Sequence, residues 1–179
     1  GKEIWRGGGA EAGYASPYIR DSNPMEVVVF NQDGISIHDF ANGQEKSTYQ
    51  HRTRYDVNAA QPLDLGSQML VASGYGKGAA LLDLTESQPK VLWESDEVAC
   101  QMASLVYKDG FAFGVHGQAG ANSNRATLFC LDLMEGRKIW EERGYGVGTV
   151  ILVADKLVVL SDQGELAILN ASSKGFDEL

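Results

Sequence analysis

Eight side chains in this sequence could recognise a ligand if the fold gathered them: Arg54, Tyr55, Asp56, Asn58, Tyr75, Lys77, His116 and Arg125. Guanidinium and ammonium groups pair with carboxylate or phosphate, and tyrosine offers an apolar face with a polar tip. Together they suit binding better than bond-making. The three histidines, His38, His51 and His116, have no metal-ligand spacing, and His38 beside Asp39 reads as structural. No Ser, His and acid cluster is evident, so no residue is assigned as catalytic and no metal site is expected. Gly74-Tyr75-Gly76-Lys77-Gly78 and Gly144-Tyr145-Gly146-Val147-Gly148 look like nucleotide loops but lack the Gly-x-Gly-x-x-Gly spacing and the strand-to-helix context. We read both as tight β connections.

Composition narrows the classes further. The 179 residues carry a net charge of −9, which leaves no basic footprint for nucleic acid or anionic lipid. Acidic clusters near Trp93–Glu97 and at Glu141-Glu142 read as solvated surface. No apolar run reaches the ~18 residues of a membrane span, so no insertion is expected. Cys100 and Cys130 make no disulfide framework. They read as two small buried residues, with a single bridge left open to geometry. The start, Gly1-Lys2-Glu3-Ile4-Trp5, is no signal peptide, and we read the chain as a piece of something longer.

The elements that position the eight residues come from a repeat. Twenty-one glycines against four prolines, scattered among apolar runs, indicate many tight turns. Taking Pro17, Pro62, Leu105 and Val150 as equivalent gives spacings of 45, 43 and 45 residues. Third-strand markers Asp39, Asp83, Asp132 and Asn170 follow, the third of them delayed by an insertion at Gly117–Arg125. Each unit reads as β throughout, and no window holds a helical period. Asn31–Gly34, Asp109-Gly110 and Ser161–Gly164 are hairpin signals. Lys138–Glu141 and Val91–Glu94 are the clearest fourth strands, and one is expected after every third strand.

Four short antiparallel strands at this period describe a propeller blade. In such a meander the loops 51–58 and 142–147 share one end with the loops 74–78 and 114–125, and that end collects the eight candidates.

The third unit, Cys130-Leu131-Asp132-Leu133-Met134-Glu135-Gly136-Arg137-Lys138-Ile139-Trp140, resembles the pyrroloquinoline quinone (PQQ) propeller repeat, Ala-x-Asp-x-x-Thr-Gly-x-x-x-Trp. Asp132, Gly136 and Trp140 match. Gly1 to Trp5 has the same spacing as Gly136 to Trp140. The first unit keeps Asp39 and Gly43 but has Ser47 at the Trp place. The second keeps Asp83, lacks the glycine and reaches Trp93 two residues late. The fourth has Asn170 and no Trp.

The resemblance implies an all-β propeller of four-stranded antiparallel blades, with about four blades of a seven- or eight-bladed ring. The expected layout is one partial domain, 1–179, with the last strand of a preceding blade at 1–6. Blades follow at 14–50, 59–95, 102–143 and 147–179. It implies that Asp and Gly shape the hairpin before the fourth strand and that each Trp docks between blades.

The nearest look-alikes are secreted bacterial propellers, so a periplasmic or extracellular location is implied. Two functions are implied. One is a non-catalytic scaffold that binds a protein or small polar ligand through the loop end. The other is a fragment of a quinoprotein alcohol or sugar oxidoreductase with PQQ and calcium. The vicinal cysteine pair of such enzymes is absent here. A partial ring also leaves apolar faces bare, so self-association is expected.

Overall fold

A computed structural model describes residues 1–120 and 125–179. Fifteen strands are described, in four up-and-down sheets. The first sheet is β1 (Tyr18–Arg20), β2 (Glu26–Asn31), β3 (Gly34–Asp39) and β4 (Glu45–Gln50). The second is β5 (Leu63–Asp64), β6 (Gln68–Ser73), β7 (Gly78–Asp83) and β8 (Lys90–Ser95). The third is β9 (Val106–Lys108), β10 (Phe111–His116), β11 (Thr127–Asp132) and β12 (Arg137–Glu142). The fourth has β13 (Thr149–Val153), β14 (Lys156–Leu160) and β15 (Leu166–Asn170).

The sheets stack face to face, which explains the sequence pattern. Middle strands such as β7, Gly-Ala-Ala-Leu-Leu-Asp, are covered on both faces and read as unbroken apolar runs. Outer strands such as β12, Arg-Lys-Ile-Trp-Glu-Glu, alternate between half-buried and exposed residues. Three buried clusters fill the spaces between successive sheets. Phe30 and Ile37 meet Met69 and Leu82 in the first. Leu70 and Leu81 meet Phe129 and Leu131 in the second, and Phe113 and Leu128 meet Leu157 and Leu169 in the third. Cys100 and Cys130 are free and lie in two different clusters, which closes the disulfide question.

Aspartates and glycines shape the hairpins before the outer strands. Asp132 Oδ1 accepts from the backbone N–H of Met134 at 2.8 Å and Glu135 at 3.1 Å, and Asp39 does the same for Ala41 and Asn42. Asp83 caps Thr85 at 2.8 Å. Gly43 and Gly136 close these turns at φ +75 and +67. Each outer-strand pairing slips by a residue, at Ile37/His38, Leu81/Leu82 and Cys130/Leu131. Ser47, Trp93 and Trp140 stand opposite those slips, so the bulge aims the side chain toward the next sheet. Trp93 Nε1 donates to Leu133 O and Trp140 Nε1 to Ser172 O, both at 2.8 Å.

Two expectations change. Residues 1–6 pair with no strand among the described residues, although Trp5 Nε1 donates to Phe40 O at 2.8 Å, as the other tryptophans do one sheet on. The fourth sheet has three strands rather than four. A Leu169–Glu178 bridge lies along its outer edge, where Asn170 N donates to Asp177 O and Leu179 N to Ile168 O.

Candidate functional site

Two turns build the candidate site. Between β6 and β7, Tyr75 and Gly76 take φ +59 and +73, the two left-handed central positions of a tight hairpin turn. That geometry turns the Tyr75 ring toward the loop after β4. In that loop Thr53 folds the chain on itself. Its Oγ1 accepts from Val57 N at 2.7 Å, and its carbonyl accepts from Asp56 N at 3.2 Å. The fold presents Tyr55 at the surface, 58% exposed.

The two rings meet edge to face, with centroids 5.0 Å apart. The Arg54 guanidinium carbon sits 5.4 Å from the Tyr55 ring centre, within cation–π range. Tyr75 is held from a third side: its hydroxyl accepts from Gln101 Nε2 at 2.6 Å, and its backbone N–H donates to Gln118 Oε1 at 3.1 Å. Gln101 Oε1 in turn accepts from Ala119 N at 2.6 Å. The result is an aromatic and cationic platform across the ends of two sheets, with its anchor already ordered.

The other candidates divide. Lys77 is half-buried in the same hairpin, and its charge reaches the buried His51. His51 is 1% exposed beside Phe30 and Tyr49, and neither ring nitrogen has a hydrogen-bond partner among the described residues. Burial, and then the Lys77 charge, push its pKa down to about 3. Asp56 lies in an exposed ion pair. Its carboxylate takes the Arg52 Nε–H at 2.7 Å, with φ at +57. His116 is half-buried, and its Nδ1 accepts from Ala99 N at 3.0 Å. Burial, then Lys138, lower its pKa against the pull of Glu141. Arg125 is exposed beside 121–124, which lie outside the described residues.

Asn58 is a structural group. It is 0% exposed, and its amide donates to Asn31 O at 2.8 Å and His51 O at 2.9 Å while accepting from Ser73 Oγ at 2.7 Å. It ties the first two sheets together and is closed to ligand.

Sequence reasoning missed Gln101 and Gln118. Residues 96–102 follow β8 as 51–58 follow β4, so the repeat itself places Gln101 at this end. It also missed a cleft of about 630 Å³ at the opposite end, lined by Leu92, Trp93, Tyr107 and Met134 among others. The sequence marks it only through motif residues that read as packing. Among the described residues no three of His, Cys, Asp and Glu are grouped to hold a metal ion. No helix among them is long and apolar enough to cross a membrane.

The fold is that of a β-propeller. The chain superposes on BamB from Moraxella catarrhalis with a TM-score of 0.68 at 18% identity, covering 97% of this chain and 53% of that one. Sqt1 from Saccharomyces cerevisiae matches with a TM-score of 0.67 at 12% identity over 91% of this chain and 47% of that one. The computationally designed Ika8 protein matches with 0.62 at 14% identity over 100% and 52%. The chain thus spans about half the length of these three proteins. No family model and no curated protein sequence matches it.

Proposed function

We propose that this chain is a non-catalytic propeller scaffold that binds a protein or small polar ligand through the loop end holding Tyr55 and Tyr75. The observation that carries this reading is the exposed Tyr55 ring, seated on Tyr75 and beside Arg54. Tyr and Arg supply most of the energy in binding surfaces, because they bring large contact area and several donors at modest entropy cost. Gln101 and Gln118 hold Tyr75 in place before any partner arrives, which lowers the cost of binding. Arg54 sets a cation beside the Tyr55 ring, which favours a ligand with a carboxylate or another anionic group. On the PQQ-like repeat, the scaffold works outside the cytoplasm.

The test is affinity capture with the chain and with an Arg54→Ala/Tyr55→Ala variant, beside a dye-linked dehydrogenase assay with added PQQ and calcium. A partner held by the chain and released by the variant, with no turnover, supports the scaffold. Equal capture by both overturns the site. Turnover dependent on PQQ replaces the scaffold with the quinoprotein reading.

A further inference from the structure

Three hairpins of this fold are held in the same way. Phe40 N donates to Met25 O, Leu84 N to Ser67 O and Leu133 N to Gly110 O. Each donor follows its hairpin aspartate, and each acceptor precedes the second strand of its sheet. The carbonyls of Phe40, Leu84 and Leu133 are therefore equivalent. Two of them take an indole N–H at 2.8 Å, from Trp5 and Trp93. Leu84 O takes no hydrogen bond among the described residues. In the repeat its donor belongs at Ser47, which stands opposite an outer-strand bulge as Trp93 and Trp140 do.

Ser47 is too short to fill an indole's place. A cleft of about 350 Å³ lies there, with Ile37, Ser47, Leu84 and Pro89 on its walls. A dry cavity of about 150 Å³ is enough to hold benzene, so this one takes an indole and leaves room for a side arm. The facing hairpin runs six residues, 84–89, against four, 133–136, in the next sheet. Leu84 and Pro89 give it an apolar wall where that sheet has the glycine under Trp93.

The mouth of the cleft selects the arm. Arg20 Nη1 and Lys46 Nζ pair with Glu26 at 2.8 and 2.9 Å, and Arg20 Nε lies 3.6 Å from Asp64. Both cations are thus matched. Glu45 and Glu86 also line the cleft, are exposed, and have no ion-pair partner among the described residues. Two unmatched carboxylates favour an ammonium group.

We propose that this cleft binds a small indole carrying an amino arm. The ring lies where the repeat places its tryptophan, its N–H donates to Leu84 O, and the ammonium faces Glu45 and Glu86. The cleft sits between the first two sheets, at the end opposite Tyr55 and Tyr75, so this inference does not depend on the loop-end binding site.

Titration calorimetry of the chain with tryptamine should show one saturable site. Tryptamine methylated on the ring nitrogen lacks the donor, and indole-3-acetate reverses the charge of the arm. Each should bind about tenfold more weakly. Ser47→Trp supplies the ring from within and should abolish binding, with a thermal melt to show that the variant folds. Glu45→Gln/Glu86→Gln alters only exposed groups and should narrow the gap between tryptamine and indole-3-acetate. No saturable heat with tryptamine, equal affinity for the methylated ring, or an unchanged site in folded Ser47→Trp would each overturn the proposal. So would an unchanged gap in Glu45→Gln/Glu86→Gln.

Discussion

The indole of Trp93 occupies the space that a side chain at Gly136 would need. A Cβ at Gly136 would lie 2.6 Å from Trp93 Cδ2, while Trp93 Nε1 donates to Leu133 O in the same hairpin. Trp5 and Gly43 stand in the same relation two sheets earlier. Glycine is therefore required twice over at these positions, for the positive φ and for the ring.

Gly136→Ala should cost about 2–4 kcal/mol, combining left-handed strain of about 1–2 kcal/mol with overpacking of similar size. Gly164 shares the positive φ, +87, but faces open space. Gly164→Ala should cost only the strain. Urea unfolding of the two variants separates the contributions, and equal losses would mean that the indole gives way.

The tryptophan–glycine pairing was half legible in the sequence. Asp132, Gly136 and Trp140 mark one hairpin, and each Trp can be assigned to packing. What the spacing hides is that the glycine serves the tryptophan of the preceding sheet. Ser47 in the first sheet is followed by a second-sheet hairpin, Leu84–Pro89, with no glycine. Between them lies a cleft of about 350 Å³. A motif read unit by unit counts these as two separate departures, but in space they are one. The loop end was legible for the same reason, since strand order alone decides which loops share it. Asn58 was not, because a polar residue in a loop looks the same in sequence whether it meets solvent or three buried partners.

Asn58→Ala should destabilise the chain by about 3 kcal/mol or more, because it strands the Asn31 and His51 carbonyls and the Ser73 hydroxyl around a buried site. Asn58→Asp should be no milder, since it exchanges the donors for a buried charge. Thermal unfolding checks both. A loss within 0.5 kcal/mol, about the size of surface changes, would return Asn58 to the list of ligand contacts.

Tyr55→Ala should leave folding within about 0.5 kcal/mol, because the ring is mostly exposed. Its effect on binding should be larger, about 2 kcal/mol or roughly thirtyfold in affinity, as for a hot-spot tyrosine. Gln101→Ala should act more weakly on the same ligand by loosening Tyr75. Titration of whichever partner the capture experiment yields gives both numbers. A larger loss for Gln101→Ala than for Tyr55→Ala would move the contact surface to the loop 117–120.

Acid should weaken the fold through His51. Its folded pKa is lowered to about 3, against about 6.5 when unfolded, so the folded state holds the ring neutral. Below pH 6.5 the unfolded chain takes up a proton that the folded chain refuses. Stability from this group is therefore fully present above pH 6.5 and is lost as pH falls toward 3. His116, also lowered by burial, adds in the same direction. Between pH 6.5 and 5 most carboxylates stay ionised, so histidine dominates the change there. His51→Phe keeps a ring against Phe30 and Tyr49 and removes both unpaired nitrogens. Denaturant melts at pH 7 and pH 5 should show a smaller drop for His51→Phe than for the unaltered chain. Equal drops would mean that the imidazole charges in the folded state, as a group open to water does.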